Sequence, residues 1–398
     1  MDMRILSVVL VLIGTIIFSS HANLQLEFLK KEALEGKSRA QFGLGVVYEK
    51  GDGIEIDLVK AVEWYHKAAE QNNPDAQMAL GHCFSKGKGV LQNEGLAFGW
   101  MQKAAKQYYA PAQYAVGVSF EKGELGQKKD EENAVLWVRR AAVQDYADAQ
   151  FKLGEYYRLG VGVDSDMEKM AEWYIRAANQ GNYPAQLLIA RKFNQWSRYL
   201  SGNESVIPHL LRMAEQGDSE SQYNLGVYYS NLDSKGKAIE KSVPWLERAS
   251  NQGNNDASRL LAHHYLKGLG VKKDTQKATQ LFLPFAEAGD SACQELLGGI
   301  YAGDEGGEID LLESKKWYLT AAKNGRVKSQ VKCVFIYGTG LGVKSNRVEA
   351  YAWAMVASRN GEVAYKEKLK PILGVDEKIK AQKRYRILLE EMRNRQKT

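Results

Sequence analysis

Ala149-Gln150-Phe151-Lys152-Leu153-Gly154-Glu155-Tyr156-Tyr157, followed by Gly160-Val161-Gly162-Val163, Asp166, Trp173 and Ala177-Ala178, is the stretch from which the fold can be read. Ala149, Leu153 and Tyr157 fall at i, i+4 and i+8 and share one face of a helix. Gly154 in the helix interior costs about 1 kcal/mol relative to alanine, so it implies the close approach of a neighbouring helix. Gly160 and Gly162 supply the positive φ that ends this helix and turns the chain back. Asp166 then offers a side-chain oxygen to cap a second helix, which carries Trp173 and closes on the alanine pair. The stretch reads as an antiparallel hairpin of two helices of about 13 residues, each roughly 20 Å long.

The hairpin is repeated. Ala40-Gln41, Ala76-Gln77, Ala112-Gln113, Ala149-Gln150 and Ala185-Gln186 recur at spacings of 36, 36, 37 and 36. Ser221-Gln222, Ala257-Ser258, Cys293-Gln294 and Ser329-Gln330 continue the phase, each 36 apart. A glycine stands in the Gly154 register at Gly45, Gly81, Gly117, Gly226 and Gly298, and an alanine at Ala190 and Ala262. An aromatic follows three residues later in all nine copies, from Tyr48 and Phe84 to Tyr301 and Tyr337, which reads as core packing rather than a chemical site. Asp57, Asn93, Asp130, Asp166, Asp274, Asp310 and Asn346 hold the cap register of the second helix. A period of this length marks a solenoid, in which each unit buries its apolar face only against its neighbours.

A chain of 398 residues would otherwise suggest two or three ordinary domains. Apolar residues at 44%, charged residues at 26% and only seven prolines exclude a disordered or collagen-like chain. Three cysteines, Cys83, Cys293 and Cys333, cannot make a disulfide framework. At the N-terminus, Ile5 to Phe18 is an uncharged, mostly apolar run of fourteen behind one basic residue, Arg4. Ser20 and Ala22 then occupy the positions a signal peptidase reads, so residues 1–22 are expected to be a signal peptide cleaved before Asn23. Fourteen residues fall short of the roughly 20 that a spanning helix needs.

The pattern A-x-x-x-L-G-x-x-Y…G-x-G-V-x-x-D…A-x-x-W-x-x-x-A-A-x-x-G resembles the Sel1-like repeat, a relative of the tetratricopeptide repeat. Gly160-Val161-Gly162-Val163 and Lys267-Gly268-Leu269-Gly270-Val271-Lys272-Lys273-Asp274 carry the likeness almost residue by residue. The resemblance implies an all-α, right-handed αα superhelical solenoid of nine helical hairpin repeats over 39–362. Residues 23–38 would form an N-terminal capping segment and 363–398 basic C-terminal capping helices. The fifth and sixth repeats depart from the pattern: they lack the paired glycines, and His209 stands where the fifth should have tryptophan. Asn194 to Glu204 should accordingly be an irregular or longer loop. The resemblance also implies binding rather than chemistry: an exported, periplasmic or secreted monomeric adaptor that holds a protein or peptide on its concave face, in an immunity or host-contact role. The alternative is a penicillin-interacting, β-lactamase-like hydrolase, as in a cysteine-rich subgroup whose stapling cysteine pairs this chain lacks.

No Gly-x-Ser-x-Gly elbow, no Ser-x-x-Lys with its downstream partners and no His-Glu-x-x-His stands in the sequence, and the Gly-x-Gly loops lack the lysine and Ser/Thr of a phosphate loop. No catalytic residue, cofactor or metal is expected. His263 and His264 are adjacent, and neighbours on a helix point about 100° apart, which makes a poor chelate. Cys293 and Cys333 read as buried helix-face residues, with a bridge between neighbouring first helices the less favoured reading. The first-helix positions that the repeat pattern leaves open contribute Lys152, Glu155, Tyr156, Arg191, Lys192, Asn224, Tyr228, His263 and His264, a mixture of polar and aromatic groups suited to partner recognition.

Charge is unevenly distributed. Val363 to Thr398 carries eleven basic and five acidic residues, which accounts for the whole net charge of +6 and leaves the rest neutral. A nucleic-acid track along the groove would need basic residues throughout, so none is expected. Ala381, Tyr385, Leu388, Leu389 and Met392 form one helical stripe in this basic end. A cap over the last repeat is the favoured reading. Contact with anionic lipid or an acidic partner is the weaker one, because the stripe is narrow and has neither tryptophan nor phenylalanine.

Overall fold

The computed structural model describes residues 24–200, 205–232 and 238–395; the expected signal peptide lies outside them. Among the described residues every regular element is a helix. The chain divides into two units, Met1–His209 and Leu210–Thr398. In the first, a helix over 24–34 precedes four hairpins: Ser38–Lys50 with Leu58–Glu70, Pro74–Lys86 with Glu94–Lys106, Ala110–Lys122 with Glu131–Ala142, and Ala147–Leu159 with Met167–Asn179. In the second, Ser219–Asn231 with Ile239–Asn251, Asn255–Lys267 with Thr275–Glu287, Ser291–Tyr301 with Leu311–Lys323 and Val327–Thr339 with Arg347–Arg359 repeat the motif. The chain thus folds as an all-α solenoid.

The local signals read from the sequence act as expected. All seven predicted caps accept a backbone N–H from the first turn of their helix, as in Lys169 N to Asp166 Oδ1 at 2.9 Å and Glu349 N to Asn346 Oδ1 at 3.0 Å. The loop between the two helices is closed from the same residue, whose own N–H donates to the carbonyl of the recurrent aromatic: Asp57 to Tyr48 at 3.0 Å, Asp166 to Tyr157 at 2.9 Å. Gly160 ends its helix in the left-handed region at φ 73°, its N–H bonded back to Tyr156 O. Gly154 is required by packing: a Cβ there would lie 2.6 Å from Tyr174 Cδ1. The same register repeats the contact between Gly45 and Tyr65, Gly117 and Val138, Gly226 and Leu246, and Gly298 and Tyr318. The recurrent aromatics are less buried than a pure core reading implies. Tyr157 and Tyr265 are buried, but Tyr48, Phe84, Phe120, Tyr229, Tyr301 and Tyr337 are half-exposed at the helix ends.

The glutamine of each Ala-Gln pair joins one hairpin to the next. Gln77 Nε2 donates to Ala69 O of the preceding second helix at 3.1 Å, while Gln77 Oε1 accepts from Gln107 Nε2, at the end of its own second helix, at 2.8 Å. Gln41, Gln113, Gln222, Gln294 and Gln330 make the same two bonds, with Asn324 and Asn360 as donors in the last two hairpins. Each amide therefore ties three helices together while buried. On the second helices, Lys67, Lys103, Arg140, Arg176 and Arg248 lie 3.9–4.7 Å over the rings of Trp64, Trp100, Trp137, Trp173 and Trp245.

The fifth hairpin departs from the others, as its sequence implies. Its first helix, Tyr183–Lys192, is ten residues long, and a short helix, Ser197–Leu200, follows before residues 201–204, which lie outside the described set. Trp196 folds back, its ring stacked on Tyr174 at 5.8 Å and 19°. His209, in the tryptophan register, is buried with Nε2 2.9 Å from Asn179 Oδ1. All three cysteines are free and buried, so the less favoured Cys293–Cys333 bridge is not formed. Burial pushes the Cys83 and Cys293 thiols up to about 11. The helix Val375–Arg395 lays Ala381 and Leu388, with Tyr385 and Met392, against the cluster around Trp353 and Val356. Arg384 holds Glu349 through two bonds of 3.0 and 3.1 Å, and Glu391 receives both Arg384 and Lys323.

Three outcomes follow from this packing. Gln77→Leu removes the bonds to Ala69 O and from Gln107 Nε2, leaving Ala69 O with its other donor, Asn72 N at 3.0 Å, and should destabilise the first unit by about 1–3 kcal/mol for the two lost bonds together. Gly154→Ala should cost a similar amount by overpacking against Tyr174. Denaturant midpoints check both, and an unchanged midpoint would refute the respective contact. The third concerns pH. His264 is buried, its Nε2 3.3 Å from Ser230 Oγ and its Nδ1 without a hydrogen-bond partner, and burial holds its pKa below the ordinary value. Protonation then favours the unfolded chain, so its stabilising contribution is complete above about pH 6.5 and is lost as pH falls through the folded pKa. His264→Gln should flatten the acid side of the stability profile of the second unit, measured by urea unfolding across that range; an unaltered slope would count against it.

Candidate functional site: the first-helix grooves

The open face of the solenoid is built by register. Counting from the alanine of each Ala-Gln pair, the side chain six residues on faces outward, and the next turns about 100° away toward the preceding hairpin. Glu155, Arg191 and His263 accordingly keep at least part of their surface, and Lys152, three residues on, and Lys192 and Tyr228, seven residues on, do so as well. Tyr156, Asn224 and His264 do not: they are 1%, 1% and 2% exposed. The expectation that these three present themselves to a partner is corrected: Tyr156 and His264 fall seven residues on, where Cys83, Ser119, Ile300 and Ile336 are buried too, and Asn224, three residues on, is buried as well.

The structure brings Lys152, Glu155 and Tyr156 into one polar cluster in the first unit. Lys152 pairs with Glu121 of the preceding hairpin at 2.8 Å and lies 5.5 Å over the Tyr156 ring. Glu155 takes Arg158 through bonds of 2.6 and 3.1 Å and receives the Tyr174 hydroxyl. Burial raises the Glu155 pKa, but Arg158 and Tyr174 outweigh it and hold the carboxylate below its usual range. Burial, and then the Glu121 carboxylate, push the Tyr156 phenol upward. Arg191 and Lys192 stand on the fifth hairpin; Asn224 and Tyr228 lie on Ser219–Asn231, and His263 and His264 on Asn255–Lys267, in the second unit.

Two grooves that sequence reasoning did not single out occupy the same registers. In the first unit, a groove of about 780 Å³ lies between Ser38–Lys50 and Pro74–Lys86, over Phe42, Tyr65, Met78 and Ala79, with Glu49, His82 and Lys88 at its rim. In the second, one of about 620 Å³ lies along Val327–Thr339, over Tyr318, Val331, Phe335 and Ile336, with Asp304, Lys328 and Lys332 at its rim. In each, a tyrosine of the second helix reaches under the glycine of the first and donates its hydroxyl to a carboxylate: Tyr65 to Glu49 at 2.6 Å, Tyr318 to Asp304 at 3.3 Å. Tyr174 and Glu155 repeat the pair, and there Trp196 is stacked on the tyrosine. A sequence signal for these positions exists in Trp64-Tyr65, Trp173-Tyr174 and Trp317-Tyr318, which share one register.

Each groove sets an apolar floor between charged rims. No group of three or more potential metal ligands occurs among the described residues. Ser230 and His264 do bring a hydroxyl to an imidazole, but inside the core, with no hydrogen-bond partner on His264 Nδ1 to orient the ring as a base.

The match to a known family agrees with this architecture. The Sel1 repeat family matches residues 38–73, 74–109, 110–146, 147–182, 219–254, 255–290, 291–325 and 335–361, well over half of the chain. The irregular fifth hairpin falls between matches, whereas the sixth, expected to depart as well, is matched. Among solved structures, the chain is similar to a protective antigen of uropathogenic Escherichia coli strains displaying an SLR fold, at 28% identity and TM-score 0.49, over 92% of this chain and 79% of that one. It is similar to a Sel1 repeat protein from Oxalobacter formigenes at 26% identity and TM-score 0.32, over 80% and 96%. An immunity protein from Pseudomonas aeruginosa is similar at 16% identity and TM-score 0.27, over 63% and 81%. No curated protein matches the chain. With eight matched repeats built on the helical hairpins described above, the chain belongs to the Sel1 repeat family.

Proposed function

We propose that this chain is an exported, non-enzymatic scaffold that holds a protein partner against its first helices, as an adaptor, immunity or host-contact factor. The observation that carries this reading is the pair of grooves in equivalent registers, each with an apolar floor, a charged rim and a volume of 620–780 Å³. That size admits one or two large side chains of a bound segment, and the mixture of aromatic, aliphatic and charged walls is typical of recognition surfaces. Lys152, Arg191 and Lys192 add accessible first-helix positions in the first unit, and Tyr228 and His263 add them in the second. Export is supported by the apolar run Ile5–Phe18 with Ser20 and Ala22 behind it.

Site-specific photo-crosslinking tests the reading. A crosslinker replacing Met78 or Phe335, both on groove floors, should capture one protein, whereas one at Glu63 or Lys315, on second helices, should not. Met78→Arg and Phe335→Arg should weaken that capture at least about tenfold with unfolding midpoints unchanged, since burying an unpaired charge at a contact centre is costly. Capture from the second-helix positions instead, or indifference to both substitutions, would overturn the proposal. Turnover of a chromogenic β-lactam by the purified protein would overturn its non-enzymatic part. N-terminal sequencing of the protein recovered outside the cytoplasm should read from Asn23.

A further inference from the structure

The sequence suggested one apolar stripe on the basic C-terminal helix, and the structure turns that stripe inward. Ala381 and Leu388 are fully buried, Tyr385 and Met392 pack beside them, and Arg384 is drawn to Glu349 and Glu391. A second set of aliphatic side chains is left on the opposite face. Val375 is 74% exposed, Ile379 62% and Ile387 41%, and Ile372, just before the helix, is 57% exposed. At 100° per residue, Val375, Ile379, Lys383, Arg386, Ile387 and Glu390 all fall within a third of the helix circumference, turned away from Ala381 and Leu388. Lys380, Lys383, Arg386 and Arg393 are exposed on or beside that sector, and none pairs with a carboxylate among the described residues. Only Asp376 and Glu390 oppose them there.

From this face we infer a peripheral membrane-docking surface whose occupant is an anionic phospholipid bilayer. Charge complementarity is the argument. The 36 residues from Val363 carry the entire net charge of +6, so the field of this otherwise neutral protein is concentrated at one end. Val375, Ile379 and Ile387, interleaved with Lys380, Lys383 and Arg386 over roughly 20 Å of helix, match a surface that is anionic at the headgroups and apolar just beneath them. The long basic side chains can keep their charges at headgroup level while their stems and the isoleucines enter the interface. The same helix thus closes the last hairpin with one face and offers the other to lipid. This surface is independent of the partner-binding grooves.

Vesicle co-sedimentation with the full chain tests the assignment. The apolar run Ile5–Phe18 is common to all variants, so differences among them report on the C-terminal face alone. Phosphatidylglycerol–phosphatidylcholine vesicles should bind at least about tenfold more tightly than pure phosphatidylcholine, and the preference should fade between about 0.05 and about 0.5 M NaCl as the charges are screened. Lys383→Glu combined with Arg386→Glu should abolish the preference, and Ile379→Ser combined with Ile387→Ser should weaken binding several-fold. All four positions are outward, and unchanged thermal unfolding shows that the helix still caps the last hairpin. Anionic-vesicle binding that survives the charge reversal overturns the proposal. So does a protein that ignores vesicles but loses an acidic protein partner on the same reversal.

Discussion

The buried glutamine that recurs in most of the hairpins is the constraint on which the array depends. Its amide nitrogen satisfies a carbonyl at the end of the preceding second helix, and its oxygen satisfies the amide at the end of its own. The carbonyl it reaches already accepts one N–H from the turn that follows, as Ala69 O does from Asn72 N at 3.0 Å, so the glutamine adds a second, buried bond, and because that bond comes from the next hairpin it helps set which helix comes next and at what register. Where the residue changes, the solution changes with it. Ser258 replaces glutamine in the seventh hairpin and meets Ser250 at 2.7 Å, and Gln150, with no amide delivered to it, keeps its oxygen unpartnered.

The interhelix glycine works with this clasp and has a functional consequence. Because Gly45, Gly154 and Gly298 have no side chain, Tyr65, Tyr174 and Tyr318 pass beneath the first helix and emerge among the groove carboxylates. Close packing and the open face are therefore made by the same contact. The fourth and fifth hairpins show the variation: once the first helix stops at Lys192 and no paired glycine turns the chain, Trp196 stacks on the tyrosine of the preceding hairpin.

The C-terminal helix applies the same economy at the end of the array. A solenoid must cover its last apolar face, and a narrow inward stripe of Ala381, Tyr385, Leu388 and Met392 suffices when the ionic contacts of Arg384, Glu349, Glu391 and Lys323 hold the helix in place. The remaining two thirds of its circumference are free to carry the charge that the repeats lack.

Much of this was legible in the sequence because it depends on local geometry. Asp166 caps, Gly160 turns, Gly154 admits a neighbour and Ala149-Gln150 recurs every 36 or 37 residues, all consequences of a 3.6-residue helical period and of backbone dihedrals that only certain residues favour. The candidate site was less legible. Lys152, Glu155 and Tyr156 look equivalent as open positions on a helix, yet one pairs across hairpins, one is held by its own helix and by Tyr174, and one is buried. By itself the sequence determined the helices, their ends, their repeat and the asymmetry of charge. Tertiary structure alone decided which side chains reach the surface, where the grooves open and which face of the last helix is spent on packing, because those depend on what the neighbouring hairpin places opposite each residue.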